Sequence, residues 1–84
     1  MELTDIRLKK VESDSKVRAF VSITFDDSFV IKDLKVVDGK NGLFVSMPSR
    51  KKSDGEYVDI AHPIKSEVRK RIQERILDVY QELA

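Results

Sequence analysis

The hydrophobic period of this chain changes once, and that change restricts the fold more than any other feature. Up to about residue 61 the apolar residues recur at every second position, and from Ser66 onward they recur at helical spacing. Val17, Ala19, Val21, Ile23 and Phe25 alternate with Arg18, Ser22 and Thr24, as in a half-buried strand. Thr4, Ile6 and Leu8 share one face of an earlier strand, with Asp5, Arg7 and Lys9 on the other. Phe29 to Val37, Leu43 to Met47 and Glu56 to Ala61 read as three more strands. In the C-terminal stretch Val68, Ile72, Ile76, Val79, Tyr80 and Leu83 fall within an arc of roughly 120°. Strands followed by one helix predict an α+β fold. The expectation is an antiparallel sheet of about five strands over residues 2–61, then an amphipathic helix over 66–83, in one domain spanning 1–84.

The joints fit this order. Ser13-Asp14-Ser15-Lys16 and Asp26-Asp27-Ser28 are turn-forming, and Asp38-Gly39-Lys40-Asn41-Gly42 offers two glycines suited to positive φ in a hairpin. Pro48 prevents the fourth strand from continuing as a central one, and Ser49 to Gly55 reads as a polar loop. His62-Pro63 ends the last strand. Ser66 suits the helix N-cap, with Glu67 well placed in the first turn.

A core built from 84 residues is thin, because a chain this short buries only about 60–65% of the surface it exposes when unfolded. The sequence has no cysteine, so neither disulfides nor a thiolate metal site supplements that core. An economical fold and self-association are the remaining routes to more burial, and a dimer is expected. Phe20, on the polar side of its strand, points to a second covered face with a partner as its cover. No apolar run approaches the roughly 18 residues a membrane helix needs, and Met1 to Lys10 lacks the layout of a secretory signal. A cytoplasmic protein without membrane contact is the expectation.

The formal charge of +1 hides an uneven distribution. Lys/Arg and Asp/Glu balance over residues 1–49, whereas Arg50 to Arg75 holds eight basic and five acidic residues. Arg50-Lys51-Lys52 lies in the expected polar loop, where such side chains suit phosphate neutralisation or simply keep a sheet edge solvated. Lys65, Arg69, Lys70 and Arg71 open the helix and Asp78 and Glu82 close it, against the preference of the macrodipole. Sequences that break a local rule often do so at functional sites. Glu67–Arg71, Lys70–Glu74 and Arg75–Asp78 have the spacing of helical ion pairs, while Arg69 has no acidic residue three or four positions away. Most of the aromatic residues Phe20, Phe25, Phe29, Phe44 and Tyr80 sit at apolar positions typical of core packing, with Phe20 on the polar side of its strand. Tyr57, beside the basic loop, is the candidate for stacking on a base.

Catalytic machinery is sparse. His62 is the sole histidine; Asp59 could orient it and Ser46, Ser49 or Ser53 could complete a nominal triad. A local role for His62 at a strand end outweighs that reading. One histidine with scattered carboxylates makes no zinc site, and the three glycines form no phosphate-binding loop. No enzyme activity, cofactor, metal or small-molecule substrate is expected.

Two stretches, Gly42-Leu43-Phe44-Val45-Ser46-Met47-Pro48-Ser49-Arg50-Lys51 and Gly55-Glu56-Tyr57-Val58-Asp59-Ile60-Ala61-His62-Pro63-Ile64, resemble the signature of the SpoVG (stage V sporulation protein G) family. Thr4-Asp5-Ile6-Arg7-Leu8 and Phe29-Val30-Ile31-Lys32-Asp33-Leu34-Lys35-Val36 are similar to it as well. The resemblance implies a dimeric bacterial regulator of gene expression that binds DNA, and in some members RNA, with subunits joined through their sheets. In endospore formers it implies control of asymmetric septation. By matching position it assigns a nucleic-acid role to Arg50 and Lys51, and it extends that role to Arg69, Lys70 and Arg71 of the helix; Lys52 joins these candidates through the charge of the basic loop. Lys52-Ser53 stands where a Thr-Pro is more usual, which adds a positive charge. A protein-interaction adaptor of the division or sporulation machinery is the alternative reading, favoured by the near-zero net charge.

Overall fold

A computed structural model describes residues 2–12 and 15–83; of the turn expected at Ser13 to Lys16, Ser13 and Asp14 lie outside the described residues. Among the described residues the chain runs β1 (Leu3–Lys10), β2 (Val17–Phe25), β3 (Phe29–Gly39), β4 (Gly42–Ser46), β5 (Ser49–Lys51), β6 (Tyr57–Asp59) and α1 (Ser66–Glu82). This is the α+β order that the change of period predicts. The strands divide unequally: β1 to β4 form an antiparallel meander in chain order, and β5 and β6 pair with each other as a separate ribbon. Buried Pro48, which has no N–H to donate, separates the two sheets, and its carbonyl accepts the Ile60 N–H at 2.7 Å. The expected loop from Ser49 therefore begins as strand β5, and the expected strand from Glu56 shortens to β6.

One face of the meander carries the core. Ala19, Val21, Ile23 and Phe25 of β2, Leu34 and Val36 of β3, and Val45 of β4 are buried beneath α1. Strand β1 joins that face through a bulge between Leu3 and Asp5, which sets Leu3 opposite Phe25 and Ile6 opposite Ile23. Leu3 thus takes the inward place the simple alternation gives to Thr4. The Thr4 hydroxyl instead accepts the Asp27 N–H at 2.9 Å and donates to the Thr24 carbonyl at 3.3 Å, which anchors the β2–β3 turn. In that turn Asp26 and Asp27 both adopt φ of 51°, a conformation short acidic side chains tolerate. At the β3–β4 hairpin only Gly42 has positive φ, at 116°. Gly39 is small for a different reason: a Cβ there would lie 2.9 Å from the Phe44 ring.

Helix α1 lies against the core and touches β1 and β4, the outer strands of the meander. Ile72 and Ile76 are buried, with Val68, Leu77 and Tyr80 packed beside them. The Lys10 ammonium sits 4.6 Å above the Tyr80 ring, a cation–π contact that ties β1 to the helix. Leu83, expected in the apolar arc, is the C-cap residue and stays exposed. At the other end the N-cap is Lys65, not Ser66: Lys65 has extended dihedrals, and its carbonyl accepts the N–H groups of Val68 and Arg69. No side chain caps this end.

Candidate nucleic-acid interface

Short-range hydrogen bonds shape the ribbon that carries the first basic cluster. The Lys52 N–H donates to Glu56 O at 2.6 Å, the Gly55 N–H to Lys52 O at 3.0 Å and the Glu56 N–H to the Asp54 carboxylate at 3.0 Å. Gly55 closes the turn at φ 91°. Arg50 pairs with Val58 and Lys51 with Tyr57 across the ribbon. Neighbouring residues on a strand project to opposite faces, so Arg50 and Lys51 do not form one patch. Lys51 shares its face with exposed Tyr57, while the Lys52 ammonium turns 3.9 Å from Asp54. A phosphate could meet either ribbon face, and a base could stack on Tyr57 beside Lys51.

The cations of the helix stand free of acidic partners among the described residues. Ion pairs there join Arg7 to Asp5, Arg18 to Asp38 and Lys52 to Asp54. The pairs expected for Glu67–Arg71, Lys70–Glu74 and Arg75–Asp78 do not form, because exposed side chains gain little from such contacts in water. Arg69, Lys70 and Arg71 are exposed, and at 100° per residue they point in three directions around the helix. Lys65 and Arg69, one turn apart, align on one side.

The residues that flank the ribbon meet the first turns of the helix. A cleft of about 150 Å³ is lined by Phe29 and Leu34 of the sheet, Pro48 before the ribbon, His62 after it, and Val68 and Ile72 of α1. Its mouth is apolar and open: Phe29 is 65% exposed and neighbouring Ile64 is 92% exposed. The His62 ring donates through Nδ1 to the adjacent Pro63 carbonyl at 3.1 Å, as a local strand-end role requires. Among the described residues no His, Cys, Asp or Glu cluster of three or more is arranged to hold a metal.

The aromatic residues depart most from expectation. Phe25 is buried and Tyr80 packs against the core, but Phe20, Phe29 and Phe44 are exposed. Phe20 and Phe44 project from the side of the sheet that α1 does not cover. Their strand parity, opposite to that of Val21 and Val45, is the sequence signal for this placement.

The SpoVG family model matches residues 1–82. The chain belongs to the SpoVG family. Its SpoVG relatives align over nearly the whole chain. It is 54% identical to the "Putative septation protein SpoVG" of Acetivibrio thermocellus over 83 residues, spanning 99% of this chain and 88% of the relative. A protein of the same name from Macrococcus caseolyticus is 57% identical over 82 residues, spanning 98% and 71%. Another, from Agathobacter rectalis, is 59% identical over 80 residues, spanning 95% and 92%.

Proposed function

We propose that this chain is a nucleic-acid-binding regulator of bacterial gene expression, acting in the cytoplasm as a homodimer and linked to septation and sporulation. The septation link rests on the printed name of its SpoVG relatives. The nucleic-acid role rests on one observation: Lys65, Arg69, Lys70 and Arg71 open an uncapped helix without an acidic partner among the described residues. Cations there oppose the macrodipole at a cost of roughly a few tenths of a kcal/mol each, and a bound polyanion would reverse the sign of that effect. Arg50, Lys51 and Lys52 of the ribbon are the second group of exposed cations in this reading. The contacts are to phosphates, so they serve DNA and RNA alike. No catalytic step, cofactor or small-molecule substrate is part of this reading.

A second copy completes the site. Strand β4 pairs with β3 alone; the Val45 N–H on its outer edge donates to Gln73 Oε1 of α1 at 3.5 Å, and the rest of that edge is open to a partner strand. The apolar cleft and the exposed Phe29, Ile60 and Ile64 are further surface that a second copy could bury. Joined this way, two modest charge clusters face one backbone.

Fluorescence anisotropy with duplex DNA, single-stranded DNA and RNA across salt concentrations tests the binding. Affinity should fall steeply with salt. Arg69→Ala/Lys70→Ala or Arg50→Ala/Lys51→Ala/Lys52→Ala should flatten the slope by about 0.7–0.9 for each phosphate that is no longer neutralised. No binding at low salt sinks the proposal. Sedimentation as a monomer at micromolar concentration removes the dimer. The exposed Phe29, Ile60 and Ile64 favour a second reading, a protein-interaction adaptor. A pull-down that recovers a partner only when nucleic acid is present counts against it.

A further inference from the structure

The side of the sheet opposite α1 carries its own site. Phe20 is 45% exposed there, with Lys9 directly across in β1 and Lys35 directly across in β3. Neither lysine has an acidic partner among the described residues. Two residues along each strand, Arg7 lies opposite Ser22. Next to these, β3 bulges between Ile31 and Leu34, and Asp33 takes φ of 68° inside a strand. A left-handed residue with a Cβ in a strand interior carries a conformational cost, and bulges commonly re-aim a side chain at a site of function. The result is a shallow depression of about 310 Å³ lined by Arg7, Lys9, Phe20, Ser22, Lys32 and Asp33.

We propose that this depression receives one unpaired nucleobase of a single-stranded nucleic acid, stacked on Phe20, with its phosphates held by Lys9, Lys35 and Lys32. The proposal rests on the nucleic-acid reading above and adds to it a location, a strandedness and a base preference. An aromatic ring between two unpaired cations matches the alternation of base and phosphate along a single strand. A duplex, whose bases are stacked on each other, cannot offer a base to the ring. A carboxylate accepts hydrogen bonds, so where Asp33 meets position 4 of a pyrimidine it favours the amino group of cytosine over the carbonyl oxygen of uracil or thymine, whose remaining donor is N3–H. An apolar partner is the poorer fit, because it would bury Lys9, Lys35 and Lys32 without a counter-charge.

The test compares the affinity of the full chain for oligocytidylate, oligouridylate and a duplex by fluorescence anisotropy. Wild type is expected to prefer oligocytidylate to oligouridylate. Phe20→Leu should weaken single-strand binding about ten-fold or more. Its duplex binding, which uses the cations of the ribbon and helix, should stay within roughly two-fold. Asp33→Gly, compatible with the left-handed backbone, should bring the two oligonucleotides to equal affinity. If Phe20→Leu leaves single-strand binding unchanged while Arg69→Ala/Lys70→Ala reduces it, the inference fails and the broader reading stands. If wild type binds no nucleic acid, both fail. If Phe20→Lys converts a sedimenting dimer to a monomer, a second copy covers this face and the inference is overturned.

Discussion

Replacing Ile76 by alanine removes the side chain on which the helix most depends. Ile76 is fully buried, and with Ile72 it makes up the whole buried part of α1. A strand meander cannot collapse into the space left behind, because its ladder fixes the positions of Val36 and Val45. Isoleucine-to-alanine changes at such sites cost about 2–5 kcal/mol. An 84-residue domain typically has ~4–12 kcal/mol to lose, so this one change removes from about a sixth of it to all of it. Urea unfolding followed by far-UV circular dichroism at fixed protein concentration reads the effect. With a slope near ~1–1.5 kcal/mol per molar, the midpoint should fall by about 1–5 M. Leu83→Ala, at the exposed C-cap, is the control and should stay within about 0.5 kcal/mol. An Ile76→Ala midpoint indistinguishable from that of Leu83→Ala would refute the idea that this helix is held by its buried stripe.

Three further outcomes follow from the geometry. Ser66→Ala should be nearly neutral, whereas Lys65→Ser should stabilise by about 0.5–1 kcal/mol by supplying the missing cap, and should weaken nucleic-acid binding; thermal unfolding and anisotropy check the two arms. Gly39→Ala should cost about 1 kcal/mol by displacing the Phe44 ring, and most of that cost should vanish in a Phe44→Ala background in a double-mutant cycle. Asp33→Val should cost about 1–2 kcal/mol because valine resists positive φ, while Asp33→Gly should be neutral or stabilising in the same denaturation assay.

Periodicity made the helix and the four long strands legible, since each spans enough residues for its repeat to be counted. Strand β5 was not legible. Ser49-Arg50-Lys51 is too short and too polar to show alternation, and its conformation depends on pairing with β6. The bulges at Thr4 and Asp33 were hidden for a related reason: an extra residue is visible only against a partner's register. The helix N-cap shifted by one residue, which is within the range over which serine propensity fails to decide between neighbours. At the candidate site the residue identities were legible but their directions were not. Arg50 and Lys51 are adjacent in sequence and diverge in space. Phe44 shows the widest gap between sequence and structure, because its short apolar strand hides which side is covered, whereas the parity of Phe20 already puts it on the polar side.

The placement of α1 also sets a timetable for synthesis. The helix is the last element of the chain, yet it is the cover for apolar residues laid down from Leu3 onward. At about 5–20 residues per second, translating the 17 residues of α1 takes ~1–3 s, during which the meander has no lid. Until α1 docks, the meander is a bare sheet with two unpaired edges, the form of this protein most exposed to chaperones and to aggregation.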